Sequence, residues 1–171
     1  MRVLLGIVLG VVLVVAGGFL YFKLGYAPVA TAAPPMPLEA FMARTALNAR
    51  MAKEAPSTVP IQGDEPSLLA GARIYRESCA MCHGLRGQSE TAIAQGMFPK
   101  PPQFLAHTGE DHPVGQTYWA VKNGIRLTGM PAFEGSLTEE QMWQVSVMLA
   151  SEKLPDSVMA ELKKPDPVAH P

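Results

Sequence analysis

The chain has 171 residues, 14 Lys and Arg against 15 Asp and Glu, a formal net charge of −1 and 48% hydrophobic residues. That balance excludes a nucleic-acid binder, which needs a clustered basic surface, and two cysteines exclude a disulfide scaffold. Charged residues make up only 17%, yet there are 16 prolines and 15 glycines, so one segment must be strongly apolar and others loop-like.

The apolar excess lies at the N-terminus. Val3 to Phe22 is a run of 20 residues without a charge, bounded by Arg2 and Lys23. At roughly 1.5 Å rise per residue it matches a bilayer core about 30 Å thick. A cleaved signal peptide competes, but its apolar region spans about 7–15 residues and ends near a small-residue cleavage site. Ala30-Thr31-Ala32 lies well beyond this run. Residues 1–25 are therefore expected to be an uncleaved transmembrane anchor that contacts membrane lipid, with Tyr21 and Tyr26 at the interface.

Residues 26–66 read as a linker. Pro28, Pro34, Pro35 and Pro37 stiffen its start, a helix is predicted at about 38–55, and Pro56, Pro60, Gly63 and Pro66 mark a second loop. A folded domain is predicted over 67–154. It opens with a helix from Ser67 to about Ala80 and has a short helix at Gln116–Asn123. Its closing helix starts at a capping box of Thr138 and Gln141, with Leu137 and Met142 as hydrophobic staple. No strand alternation is visible, so the fold class is all-α. The tail, 155–171, reads as a proline-containing surface extension. A domain this small, with so much loop, calls for something besides side chains to fill its core.

Cys79-Ala80-Met81-Cys82-His83 is a C-x-x-C-H motif, which reads as covalent c-type haem attachment. Two thiols at that spacing reach two vinyl groups of one porphyrin, and His83 falls under the iron as axial ligand. A thioredoxin-like pair needs a βαβ context. A structural zinc site needs four ligands, and there is no second Cys pair. Haem attachment occurs outside the cytoplasm, which puts the N-terminus inside and the domain on the periplasmic side of a single-pass cytoplasmic-membrane protein.

The leading candidate for the sixth iron ligand is Met130 in Thr128-Gly129-Met130-Pro131-Ala132-Phe133. Gly129 and Pro131 hold that stretch as a loop able to present a thioether. Methionine is also a common core filler. Met97, His107 and His112 are the alternatives.

With Gly71 and Tyr75 eight and four residues before Cys79, and with Asn123-Gly124-Ile125 before the Met130 string, residues 67–152 resemble the class I, monohaem, His/Met-ligated cytochrome c family. The resemblance implies a small all-α fold wrapped around one haem c attached through Cys79 and Cys82, with His83 and Met130 on iron. It implies that Gly71 and Tyr75 lie where the first helix crosses the last, and that Trp143 and Val147 meet them there. Pro101 and Pro102 fall where the family uses a proline-associated carbonyl to accept from the ligand imidazole. Trp119 and Arg126 are candidate donors to the haem propionates. Leu127, Ala132, Phe133, Met142, Trp143 and Leu149 are candidates for the apolar wall.

With both axial positions filled, the implied activity is one-electron transfer. The chain is expected to be a membrane-anchored carrier, or a non-catalytic subunit of an oxidoreductase complex, passing electrons in a respiratory or photosynthetic chain. Its expected partners are a donor and an acceptor protein and a larger membrane complex, with no small-molecule substrate. The alternative is a haem-based sensor or ligand-binding protein whose sixth ligand is labile.

Overall fold

The computed structural model describes residues 1–88, 90–106 and 113–164, and among these there is no strand. The chain divides into two compact units, Met1–Met42 and Ala43–Pro171.

The first unit contains α1, Arg2–Lys23, a 22-residue helix with no buried residue. It is the one described helix long and apolar enough to cross a membrane, with a mean hydropathy of 2.9. Its side chains are exposed all round the helix. Tyr21 stacks on Tyr26 where the helix ends. A second helix, α2, spans Glu39–Glu54 and runs across the boundary between the units.

The second unit is built around two crossing helices. Helix α3, Glu65–Ser78, starts at Asp64, whose side chain accepts from the Ser67 amide at 3.1 Å. Pro66 sits in its first turn, where a missing N–H removes no helical bond. The helix thus begins two residues before its predicted start, because a residue read as a loop marker is a helix opener. Helix α7, Glu139–Ala150, begins at the predicted capping box, with the Thr138 hydroxyl accepting from Gln141 N and the Gln141 side chain accepting from Thr138 N.

Where α3 and α7 cross, Gly71 brings backbone against backbone. A Cβ at that position would lie 2.3 Å from Gln144 O and 2.9 Å from Met148 Cβ. Met148 thus packs at the crossing, and Val147 reaches Gly63 on the loop that leads into α3. Trp143 stacks on Tyr118 of α6 (Val114–Asn123) with ring centroids 3.9 Å apart. One helical position, about 100°, separates the two facings, and residue spacing along a helix cannot resolve it without the partner's position.

Two segments outside the predicted domain pack against it. Helix α8, Asp156–Leu162, lies in the predicted tail, yet Val158 and Leu162 are fully buried. The pair is only four residues apart on a seven-residue helix, too short a pattern to stand out. The end of α2 is also held: Met51 is buried, and Trp119 Nε1 donates to Glu54 Oε2 at 3.2 Å.

Candidate haem site

The motif forms its own turn of helix, α4, Ala80–His83, continuing from α3 through Cys79. A one-turn helix leaves its last carbonyls without helical partners, and here side chains from elsewhere satisfy them in succession. Thr91 Oγ1 donates to Met81 O at 2.8 Å and Gln103 Nε2 to Cys82 O at 3.3 Å. The Tyr75 hydroxyl reaches His83 O at 3.2 Å and Gly84 O at 2.8 Å. The family resemblance places Tyr75 in the helix crossing; its hydroxyl also fastens the end of the motif. Thr91 and Gln103 are functional residues that sequence reasoning misses, since a polar loop residue carries no signal of its partner.

His83 is buried, its ring stacked on Phe104 with centroids 4.5 Å apart. Its Nδ1 lies 2.8 Å from Pro102 O. A carbonyl can only accept, so Nδ1 carries the proton and the lone pair is on Nε2. Of the two prolines expected to supply this acceptor, the structure selects Pro102. Burial lowers the His83 pKa, opposed by the Pro102 hydrogen bond, so the ring is held neutral, the form that binds metal. Burial pushes the Cys79 thiol up to about 12, with the neighbouring Cys82 adding to the rise, and raises Cys82 as well. The two sulfurs form no disulfide.

The Met130 loop is held by hydrogen bonds of its own backbone and of Thr128. Ile125 N donates to Met130 O at 3.2 Å, and the Thr128 hydroxyl bridges, donating to Ile125 O and accepting from Met130 N. Beyond the methionine, Phe133 N donates to Val121 O at the end of α6. Gly124, at φ +66°, makes this approach possible, because a Cβ there would lie 2.6 Å from Ala132 N. Met130 itself is half-buried and packs against the core.

The other predicted residues separate. Met142, Trp143 and Leu149 are buried and Phe133 packs on the core, whereas Ala132 is exposed and Leu127, at φ +61°, is 93% exposed. Leu127 sits at the tip of the turn that leads into Met130. Trp119 donates its N–H to Glu54, and Arg126 is exposed on the loop. His107 and His112 lie outside the described residues.

The donor set fits haem c: two thiols on one helical turn, a neutral imidazole with Nδ1 committed and Nε2 left for metal, and a thioether held on a separate loop. Residues 66–147 match the sequence model of the family described as cytochrome c oxidase, cbb3-type, subunit III. The chain is 30% identical over 93 residues to the quinohemoprotein alcohol dehydrogenase ADH-IIG of Pseudomonas putida, a match covering 54% of this chain and 11% of that protein. A solved chain of the Kuenenia stuttgartiensis reducing HAO-like protein complex Kustc0457/Kustc0458 is 27% identical, with a TM-score of 0.46, over 55% of this chain and 48% of that one. The chain thus spans about a tenth and about half of the lengths of these two relatives.

Residues 66–147 are a class I c-type cytochrome domain. Such a domain is an electron-transfer module carrying covalently bound haem c, here through Cys79 and Cys82 of the C-x-x-C-H motif.

Proposed function

We propose that the chain is a membrane-anchored electron carrier, held in the cytoplasmic membrane by α1 with its cytochrome domain on the periplasmic side, and that His83 and Met130 are the axial ligands of its iron. The observation that carries the ligand assignment is the His83 Nδ1–H to Pro102 carbonyl bond. It fixes the tautomer, orients the ring and makes Nε2 the only ring nitrogen with a lone pair to give. The bound haem supplies a one-electron couple between Fe(III) and Fe(II). The chain's own residues hold that couple: Pro102 strengthens the imidazole as a donor, and the Thr128–Ile125 turn presents the thioether, which favours Fe(II) and a comparatively high potential.

The subunit reading is favoured over a free shuttle. The matching family is described as an oxidase subunit, and the Pseudomonas putida relative is a quinohemoprotein dehydrogenase. Both are oxidoreductases in which a cytochrome domain accompanies other parts. Donor and acceptor are then neighbours in one assembly, and tethering keeps their effective concentration high.

The test uses the full-length, haem-loaded protein. Wild-type ferric protein is expected to show the weak far-red sulfur-to-iron absorption band, and its ferrous form not to bind carbon monoxide promptly. Met130→Ala is expected to retain covalent haem, lose the band and lower the potential by on the order of 0.1 V, within the roughly 0.8 V span that axial ligands govern. An unchanged potential removes Met130 from the iron and favours the sensor alternative. Gentle solubilisation that yields a lone monomer rejects the subunit reading.

A further inference from the structure

Met97 lies on the loop after α5 (Ala92–Gln95), on the attachment side of the site. Its loop is tied to the motif, since Thr91 caps α5 at Ala94 N and at the same time donates to Met81 O. The tip of Met97 lies across at the other loop. A Cβ on Gly129 would be 2.1 Å from Met97 Cε, 3.5 Å from its Sδ and 3.9 Å from its Cγ, so the three nearest atoms all belong to Met97. Gly129 immediately precedes Met130. Its φ is not positive, and the absence of a side chain there makes room for Met97.

We infer that Met97 is a positioning residue that buttresses the Met130 loop from the attachment side and so sets how often the sixth ligand leaves the iron. This rests on the reading of Met130 as that ligand. A polarisable, unbranched side chain suits this role, because it fills the irregular gap over Gly129, and a loop held there loses the freedom to swing its thioether away. Met81, Thr91, α5, Met97 and Gly129 form a continuous line from the motif to the ligand loop. The two sides of the site are thereby coupled without passing through the α3–α7 core.

The experiment measures the rate at which imidazole binds the ferric, haem-loaded full chain, since entry requires Met130 to leave. Met97→Ala removes the contact by truncation, and Gly129→Ala shifts the methionine tip from its seat. Each is expected to raise the rate about tenfold, equivalent to roughly 1.4 kcal/mol, while keeping the far-red band at neutral pH. The double variant is expected to match the larger single effect, because contacts shared by two residues do not add. Rates within twofold of wild type, or a double variant whose effect is the product of the singles, overturn the inference. Should Met97→Ala fail to accumulate haem, Gly129→Ala alone decides by the same threshold. Absence of the far-red band from the wild-type protein, or its persistence in Met130→Ala, instead rejects the ligand reading itself.

Discussion

The Tyr75 hydroxyl donates to Gly84 O at 2.8 Å, joining the middle of α3 to the residue that follows the haem-attachment motif. The ring is fully buried, and the two carbonyls it serves belong to His83 and Gly84, both buried. Tyr75→Phe keeps the packing and removes the donor. Leaving a buried acceptor unsatisfied costs about 1–3 kcal/mol, so the melting temperature of the haem-loaded domain is expected to fall by on the order of 10 °C. Calorimetry of the purified protein checks this; a shift of a degree or two means water replaces the hydroxyl.

Gly124 and Gly87 both hold positive φ, +66° and +77°, and Gly124, at ψ −178°, lies in a region essentially restricted to glycine. Gly87→Ala meets nothing within 4 Å and is expected to cost only the left-handed penalty of about 1–2 kcal/mol. Gly124→Ala drives a methyl into backbone atoms of Met130, Pro131 and Ala132, so it must displace the Met130 loop. Its ferric far-red band is expected to weaken or vanish while that of Gly87→Ala is retained. Absorption spectra of the two variants side by side distinguish a specific loss from general destabilisation.

The Arg76 guanidinium and the Glu161 carboxylate meet at 2.5 Å with side-chain exposures of 13% and 7%, fastening α8 to α3. Lys164 holds the Glu161 carboxyl below its ordinary value, and Arg76 adds to this against the opposing effect of burial. A depressed acid contributes stability that is present above its unfolded value near 4.5 and is lost as pH falls through the lower folded value. Denaturant stability is expected to decline below about pH 4.5 in wild type, and that part of the decline to be absent in Glu161→Gln. At pH 7 the substitution is expected to cost about 2 kcal/mol, less than the roughly 3–5 typical of breaking a fully buried pair, because Lys164 is itself exposed.

The apolar side chains of helix α1 are exposed all round it. Membranes carrying the full chain are expected to retain it through a high-salt or alkaline carbonate wash and to release it only to detergent. Replacement of residues 1–23 by a cleavable secretion signal is expected to give a haem-loaded protein in the soluble fraction. Release of the full chain by salt alone refutes the anchor.

The C-x-x-C-H motif, the Thr138–Gln141 capping box and the apolar run of α1 are legible in the sequence because each is a local pattern whose spacing carries its own meaning. What the sequence leaves open is pairing at a distance. Thr91 and Gln103 cap carbonyls of the motif from ten and 21 residues away. Met148 packs at the crossing, unannounced by the sequence, because the contact depends on where Gly71 meets α7. Leu127, apolar beside a ligand candidate, adopts a positive φ in the turn before Thr128. Trp119 finds Glu54 in a segment read as linker. In each case the residue type is informative and its partner is not.

Four consecutive carbonyls, from Met81 to Gly84, are tied to Thr91, Gln103 and Tyr75. The mount of the His83 imidazole is therefore fixed before any charge arrives. Dipoles already set in place need not reorient when the charge at the metal changes. The nuclear rearrangement that accompanies gain or loss of an electron is thereby kept small on this side, and what remains falls to the Met130 loop.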